Sequence, residues 1–422
     1  MDKRLVLVLI LSLFLFLLLI SCGSGSADMP ETEPQIGAET ASPEEPSETE
    51  TEPPTETETQ TETESETETE EPTETETETE AVTEPPAPVY PDLLEDDGSP
   101  DLPVATVPDG VFLNPLTGET CSEELANRRP VGIMINNIHQ SLPQQNIAAA
   151  DIVYECQVEG GLTRLLAIYN DYADLVAIGS VRSSREYFID FAANHDAIYV
   201  HAGGSDTAYW NLKARGINNL DAVNGGYASL YFYRDPYRRE TLGMSLEHTL
   251  VIDGSALNEA IAYKQYRNTL SESFVNPFRF AGSGQTLVLK DGDPVSSFRV
   301  VFGSVWASFS YDPASLKYLR FQNGEPHVDG VTEEQLSFSN VLVLFCTYTY
   351  TYDDKNHIYV TDTGEGDGWY MTGGKAVPIK WRKESPDEPF ALTLENGRPL
   401  YLNRGKTFVE VVSGSEKLTV QS

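Results

Sequence analysis

The sequence predicts an α+β protein: a layered, mixed α/β N-terminal domain over residues 102–275, then a β-rich C-terminal domain over 276–422. A signal peptide (1–22) and a disordered acidic linker (23–101) precede them. Three observations carry this prediction. A strand, helix, strand, helix pattern runs from Leu175 to Arg215, strand-like alternation dominates after residue 285, and the stretch from 23 to 101 lacks the apolar side chains a core requires.

Lys3 and Arg4 precede an apolar run from Leu5 to Ile20, followed by Ser21, Cys22 and Gly23. A basic start, an apolar middle and a small residue before cysteine describe a lipoprotein signal. The alternative, an uncleaved transmembrane anchor, needs about 20 apolar residues to span a bilayer. In either case the rest of the chain lies outside the cytoplasm, tethered to a membrane.

Between Gly23 and Asp101 there are 27 Asp or Glu residues and no Lys or Arg, with Thr-Glu dipeptides repeated between prolines. Closely spaced like charges and little burial leave backbone entropy unopposed, so this tract is expected not to fold. Fully extended it would reach about 260 Å. A spacer that holds the folded part away from the membrane is one reading, and an acidic tail of no required length is the other.

The chain carries a formal charge of -38, most of it in the tether, so the remainder is only mildly acidic. No basic stripe with interleaved aromatics is present, which argues against nucleic acid as a partner. Besides Cys22 there are three widely spaced cysteines, Cys121, Cys156 and Cys346. No Cys/His spacing suggests zinc, and buried free thiols are expected.

In the first domain, Asn114-Pro-Leu-Thr-Gly118 is turn chemistry, and Arg128 to Asn136 reads as a strand entering the core. Ala148 to Gln157 and Thr163 to Tyr169 are further strands joined by a hairpin turn at Glu159-Gly160-Gly161. Leu175 to Ile178 then reads as a strand and Ser184 to Asn194 as a helix. Ala197 to His201 and Asp206 to Arg215 repeat the pattern. The two strands are expected to be parallel neighbours.

Ser183 and Glu186 have capping-box spacing, which starts the first helix at Ser183. Arg182 and Arg185 flank that start, two cations where the helix dipole favours an anion. Ligands in such units bind beyond the carboxyl ends of the strands. That places Arg164, Arg182, Ser183, Arg185, His201, Gly203, Gly204, Ser205 and Asp206 at one candidate anion-binding edge, with His248 before a later strand, Thr249 to Ile252, and a helix from Ser255 to about Tyr266. The arginines either bind an anion or close ion pairs with Glu155, Glu159 or Asp190.

In the second domain the expected strands are Gln285 to Leu289, Phe298 to Phe302, Trp306 to Tyr311, Val341 to Tyr352, Ile358 to Asp362, Gly368 to Thr372, Ala376 to Trp381 and Thr407 to Val412. Tyr348, Tyr350 and Tyr352 recur at period two. They are either an exposed ladder that stacks on sugar rings with Trp369 and Trp381, or ordinary sheet stabilisers. Asp362 to Gly368 lacks calcium-loop spacing, and no metal or cofactor is expected.

No nucleophile elbow, zinc-protease helix, Ser-x-x-Lys or phosphate loop is present. An enzyme would have to use Glu155, Glu159 or Asp206 as acid and base, or His201 with Ser205.

Several motifs together resemble the YerB-like bacterial lipoprotein family, whose two parts are treated as N- and C-terminal domains of unknown function (3048). They are Leu19-Ile-Ser-Cys22, which resembles the bacterial lipobox, and Asn114-Pro-Leu-Thr-Gly118, Arg128-Arg-Pro-Val131, Ala149-Ala-Asp-Ile-Val-Tyr-Glu155, Glu159-Gly-Gly-Leu-Thr-Arg164, Val181-Arg-Ser-Ser-Arg185 and His201-Ala-Gly-Gly-Ser205. Gly324-Glu-Pro-His327-Val-Asp329 and Gly373 to Trp381 extend the match, which covers residues 111 to 412. The resemblance implies cleavage before Cys22, lipid on that cysteine and a place in a Gram-positive-type cell envelope. It implies no enzyme activity. The expected role is a binding or regulatory module that contacts cell-wall polymer (peptidoglycan) or wall-synthesis enzymes, with a wall-active hydrolase or transglycosylase as the alternative.

Overall fold

This computed structural model describes residues 92–95, 106–351 and 355–422. The apolar leader, Cys22, the Thr-Glu repeats and Tyr352 lie outside them. The expected α+β class holds, with a large mixed sheet that carries the N-terminal helices and a β-rich C-terminal part.

Val131–Asn136 (β1), Ile152–Gln157 (β2) and Thr163–Tyr169 (β3) form antiparallel pairs, β2 with β3 and β3 with β1. The expected hairpin turn lies at Glu159–Gly161, where Gly160 and Gly161 both take φ 70°, a left-handed backbone that glycine adopts without strain. Next come Ile178–Gly179 (β4), Glu186–Ala193 (α1), Ile198–His201 (β5), Asp206–Ala214 (α2) and Asn219–Asp221 (β6). Phe232–Arg234 (β7), Leu250–Ile252 (β8) and Gly254–Tyr263 (α3) follow.

One expected pairing is not formed. β5 lies parallel to β1 on one side and β6 on the other, whereas β4 leaves the large sheet and pairs antiparallel with β8, which also holds β7. The cause is local. Ala177 sits at φ 60°, and its N–H donates to Asp253 Oδ1 at 2.8 Å, so the chain turns off before Ile178.

The C-terminal part supplies Ser297–Phe302 (β9), Val305–Asp312 (β10), Lys317–Gln322 (β11), Asn340–Phe345 (β12), Gly364–Thr372 (β13), Lys375–Lys383 (β14), Ala391–Leu394 (β15), Thr407–Val412 (β16) and Leu418–Gln421 (β17). Of these, β11, β15 and β17 are absent from the sequence-based expectation. The large sheet has eleven strands and draws on both parts of the chain: β14, β13, β12, β16, β2, β3, β1, β5 and β6 in spatial order, with Asp293–Pro294 and β15 on β14. β16 is parallel to both of its neighbours, β12 and β2. A second, six-stranded sheet contains β11, β10, β9 and β17 in order, with two short strands on β11.

Alternation in the central strands feeds two apolar layers. Met134, Tyr154 and Leu166 face α1 and pack on Tyr187, Phe188 and Phe191; Tyr154 stacks on Phe191 with ring centroids 5.0 Å apart. Ile133, Val153 and Leu165 face the other way, onto Phe298 and Phe309 of the six-stranded sheet and Leu257 of α3. Every residue of β1, β2 and β16 is buried, as expected for strands covered on both faces.

Cys156 and Cys346 are buried free thiols. Of the two described tyrosines of the ladder, Tyr348 donates its hydroxyl to Val411 O and lies against Cys156 Sγ at 3.1 Å, while Tyr350 is exposed. Trp381 is buried with its N–H on Phe345 O.

Candidate functional site

The carboxyl ends of β1 and β5 are bridged by an extended crosspiece, residues 181–184. Arg182 N–H donates to Met134 O, Ala202 N–H to Arg182 O and Ser184 N–H to Gly203 O, each at 2.9 Å. Because this backbone is committed to two strand ends, α1 starts only at Glu186, with Arg185 at the N-cap position and no side-chain cap. The expected Ser183 cap is therefore corrected. What Ser183 contributes is its carbonyl, which accepts from Arg164 Nη1 at 2.9 Å.

Arg185 grips Glu159 with two parallel bonds, Nε to Oε1 at 2.6 Å and Nη2 to Oε2 at 2.8 Å, and spends Nη1 on Ser184 O. Burial alone would raise the Glu159 carboxyl, but the bond to Arg185 and its charge outweigh burial and hold the carboxyl below the usual range. Arg182 donates to Glu247 Oε2 at 2.8 Å. Glu247 Oε1 lies 3.6 Å from His248 Nε2, and His248 Nδ1 accepts from Asn136 Nδ2 at 3.0 Å. That bond leaves the ring proton on Nε2, facing Glu247. Burial, then the neighbouring charges of Arg182 and Arg238 against that of Glu247, lowers His248.

Arg164 differs from its neighbours. It is half-buried and donates to one backbone carbonyl, and among the described residues no carboxylate forms an ion pair with it. Burial, then the positive charge of Arg185, lowers its pKa to about 10, and Arg182 adds to the effect despite the opposing Glu159.

The turn after β5 forms a second, internally satisfied group. His201 is fully buried, with Nδ1 2.8 Å from Gly203 O and Nε2 3.3 Å from Asn219 Oδ1. Gly203 takes φ 75° and gives its N–H to Asp221 Oδ1 at 3.0 Å, so that donor is already used. A Cβ on Gly204 would come within 3.3 Å of Ser184 Cβ, which is where the crosspiece passes. Ser205 caps α2 by accepting from Ala208 N–H. Asp206 is exposed in the first turn of α2, and the first turns of the two helices meet where Thr207 Oγ1 donates to Glu186 Oε2 at 2.8 Å.

Of the residues expected at one edge, the structure thus gathers Arg164, Arg182, Ser183, Arg185 and His248 around the crosspiece. His201, Gly203, Gly204, Ser205 and Asp206 support it from the side. Sequence reasoning passed over Asn136, Glu247 and Arg234, whose lowered pKa follows from burial and then the charge of Arg182. The run Leu246-Glu247-His248 held the one local signal, a carboxylate beside the chosen histidine.

The other acids lie elsewhere. Asp190 pairs with Arg215. Glu155 is buried between the two sheets, where it accepts from Asn137, Thr163 and Arg320. Its cross-strand partner Glu410 is equally buried, with no hydrogen-bond partner on either oxygen, and burial, then the charge of Glu155, pushes the Glu410 carboxyl well up. Among the described residues no three His, Cys, Asp or Glu side chains converge as metal ligands.

Residues 116–267 match the N-terminal domain of a protein family of unknown function, DUF3048, and residues 298–409 match its C-terminal domain. A Bacillus subtilis (strain 168) protein named "Putative lipoprotein YerB" is 25% identical over 302 residues, which cover 71% of this chain and 85% of that protein. The crystal structure of the YerB protein from Bacillus subtilis superposes with a TM-score of 0.63 at 23% identity, covering 74% of this chain and 100% of that one, so the two share a fold. The chain belongs to the DUF3048 family and carries both of its domains in order.

Proposed function

We propose that this protein is a lipid-anchored, extracytoplasmic module of the cell envelope that binds an anionic group of cell-wall polymer or of a wall-synthesis partner at the face around Arg164. The observation that carries this reading is Arg164 itself. A half-buried guanidinium beside two others, held by a single neutral carbonyl, gains more from an anion than an exposed one would, because burial weakens solvent screening. Its fork suits a carboxylate or a phosphate. A hydrolase is less well supported. Glu159 is held ionised beneath Arg185 and Glu155 is sealed between sheets, so neither is placed as a general acid.

Titrating the protein with inorganic phosphate and with acetate, read as a rise in melting temperature, tests the site. The wild type should respond and Arg164→Gln should not; equal responses sink the assignment. Pelleting with peptidoglycan asks whether the anion belongs to the wall. The anchor is tested separately. Cys22→Ala should leave an uncleaved precursor, and mass spectrometry showing normal maturation would refute it.

A further inference from the structure

The strand Gln285–Val288 belongs to neither large sheet, and its two edges are used differently. On one edge a single side chain imitates a neighbouring strand: Leu287 N–H donates to Asn403 Oδ1 at 2.7 Å and Asn403 Nδ2 donates to Leu287 O at 3.0 Å. Asn403 is itself fixed, with Nδ2 also on Thr372 Oγ1 and its N–H on Tyr370 Oη. Successive residues of a strand point their N–H and C=O groups to opposite edges, so Thr286 and Val288 offer theirs to the other side. Asp92–Glu95 lies there in parallel register, Leu93 opposite Thr286, Leu94 opposite Leu287 and Glu95 opposite Val288.

The composition of the two partners matches. Leu93 and Leu94 are the only leucines between residues 23 and 101, and they are flanked by Asp92, Glu95, Asp96 and Asp97. Beside the receiving strand is a cavity of about 580 Å³ lined by Leu287, Leu289 and Tyr311 together with Lys317, Arg404 and one carboxylate, Glu119, so its walls are largely apolar and its charged side chains carry a net positive charge.

We propose that the edge of Gln285–Val288 turned away from Asn403, together with this cavity, forms a strand-docking site that recognises an extended leucine pair flanked by carboxylates, running parallel, and that its occupant is the chain's own Asp92–Glu95. Backbone pairing supplies affinity and the neighbouring walls supply selectivity, the logic of strand addition to a sheet edge. The acidic linker then carries a seated strand at Asp92–Glu95.

Residue-resolved hydrogen exchange on the full chain tests this. The amides of Leu93 to Glu95 should exchange at least about tenfold more slowly than those of the Thr-Glu repeats. Leu94→Pro removes an N–H from the pair, and it should speed exchange at Val288 while sparing Leu287, whose N–H is bonded to Asn403. Adding a synthetic peptide spanning Pro91 to Asp97 to the Leu94→Pro protein should slow Val288 again, whereas the same peptide with serine for both leucines should not. Unchanged Val288 exchange in the variant would overturn the site, as would equal behaviour of the two peptides or exchange at Leu93 to Glu95 as fast as in the repeats.

Discussion

Arg164 and Arg185 lie on either side of one crosspiece, yet they differ in what removing each should do. Arg185 makes two parallel bonds to Glu159, with side chains only 11% and 18% exposed. Arg185→Ala leaves that carboxylate without its partner and should cost about 1.5–3 kcal/mol, the range for hydrogen bonds to charged groups. Arg185→Lys keeps the charge but not the fork and should recover only part of the loss. Arg164 has no such partner, so Arg164→Gln should leave the urea midpoint unchanged or raise it while abolishing the anion response. A drop comparable to that of Arg185→Ala would mean that Arg164 is structural.

At the scale of elements, two serines precede two helices, and only one is a cap. Ser205→Ala should cost about 1 kcal/mol, because Ser205 Oγ accepts from Ala208 N–H. Ser183→Ala should cost close to nothing, since Ser183 acts through its carbonyl; thermal melts of the pair decide. The example shows where the sequence is legible. Ser183 and Glu186 have the right spacing, and the local rule fails because the same backbone is claimed by Met134 and Gly203, residues far from it in the chain. Where structure follows from nearby residues, the reading is sound: the Glu159-Gly160-Gly161 hairpin, α2 with its Asp206 start, and the strand at Thr407–Val412. β4 was misplaced because the left-handed turn at Ala177 has no residue signature. The arginines of the site were visible as a cluster, and Glu159, which pairs with Arg185, was among the carboxylates expected for them, but Glu247, which neutralises Arg182, lies 65 residues away, which no periodicity reports.

The whole molecule is joined through a buried polar seam between its two sheets. Arg320 of β11 reaches Glu155 of β2, and His327 links Arg320 to Gln144. Arg320→Ala strands a buried carboxylate and should cost about 3–5 kcal/mol. Glu410→Gln should cost little, because burial and then the charge of Glu155 already disfavour the charged carboxylate, and neither oxygen has a hydrogen-bond partner to lose; urea unfolding of the two variants separates these outcomes. Histidine gives the molecule an acid limit. Burial lowers His195 to about 3, with Lys383 adding to the effect, while an unfolded histidine titrates near 6.5. The unfolded chain therefore binds a proton that the native state refuses between pH 6.5 and 3. This contribution is complete above pH 6.5 and falls on acidification by about 1.4 kcal/mol per unit. Buried Asp151, raised to about 6, works the opposite way between roughly pH 4 and 6, so the histidine contribution is read as the difference in unfolding free energy between wild type and His195→Gln at pH 7 and 5. Identical slopes would refute it. The position of β16 has a consequence for the order in which the molecule is made. Thr407–Val412 fills the gap between β12 and β2, parallel to both, although it emerges from the ribosome after both of them. Until then both neighbours wait with open edges, and the large sheet cannot be closed between β12 and β2. A premature stop codon before residue 407 should therefore give a chain that proteases clear, however intact its first 400 residues.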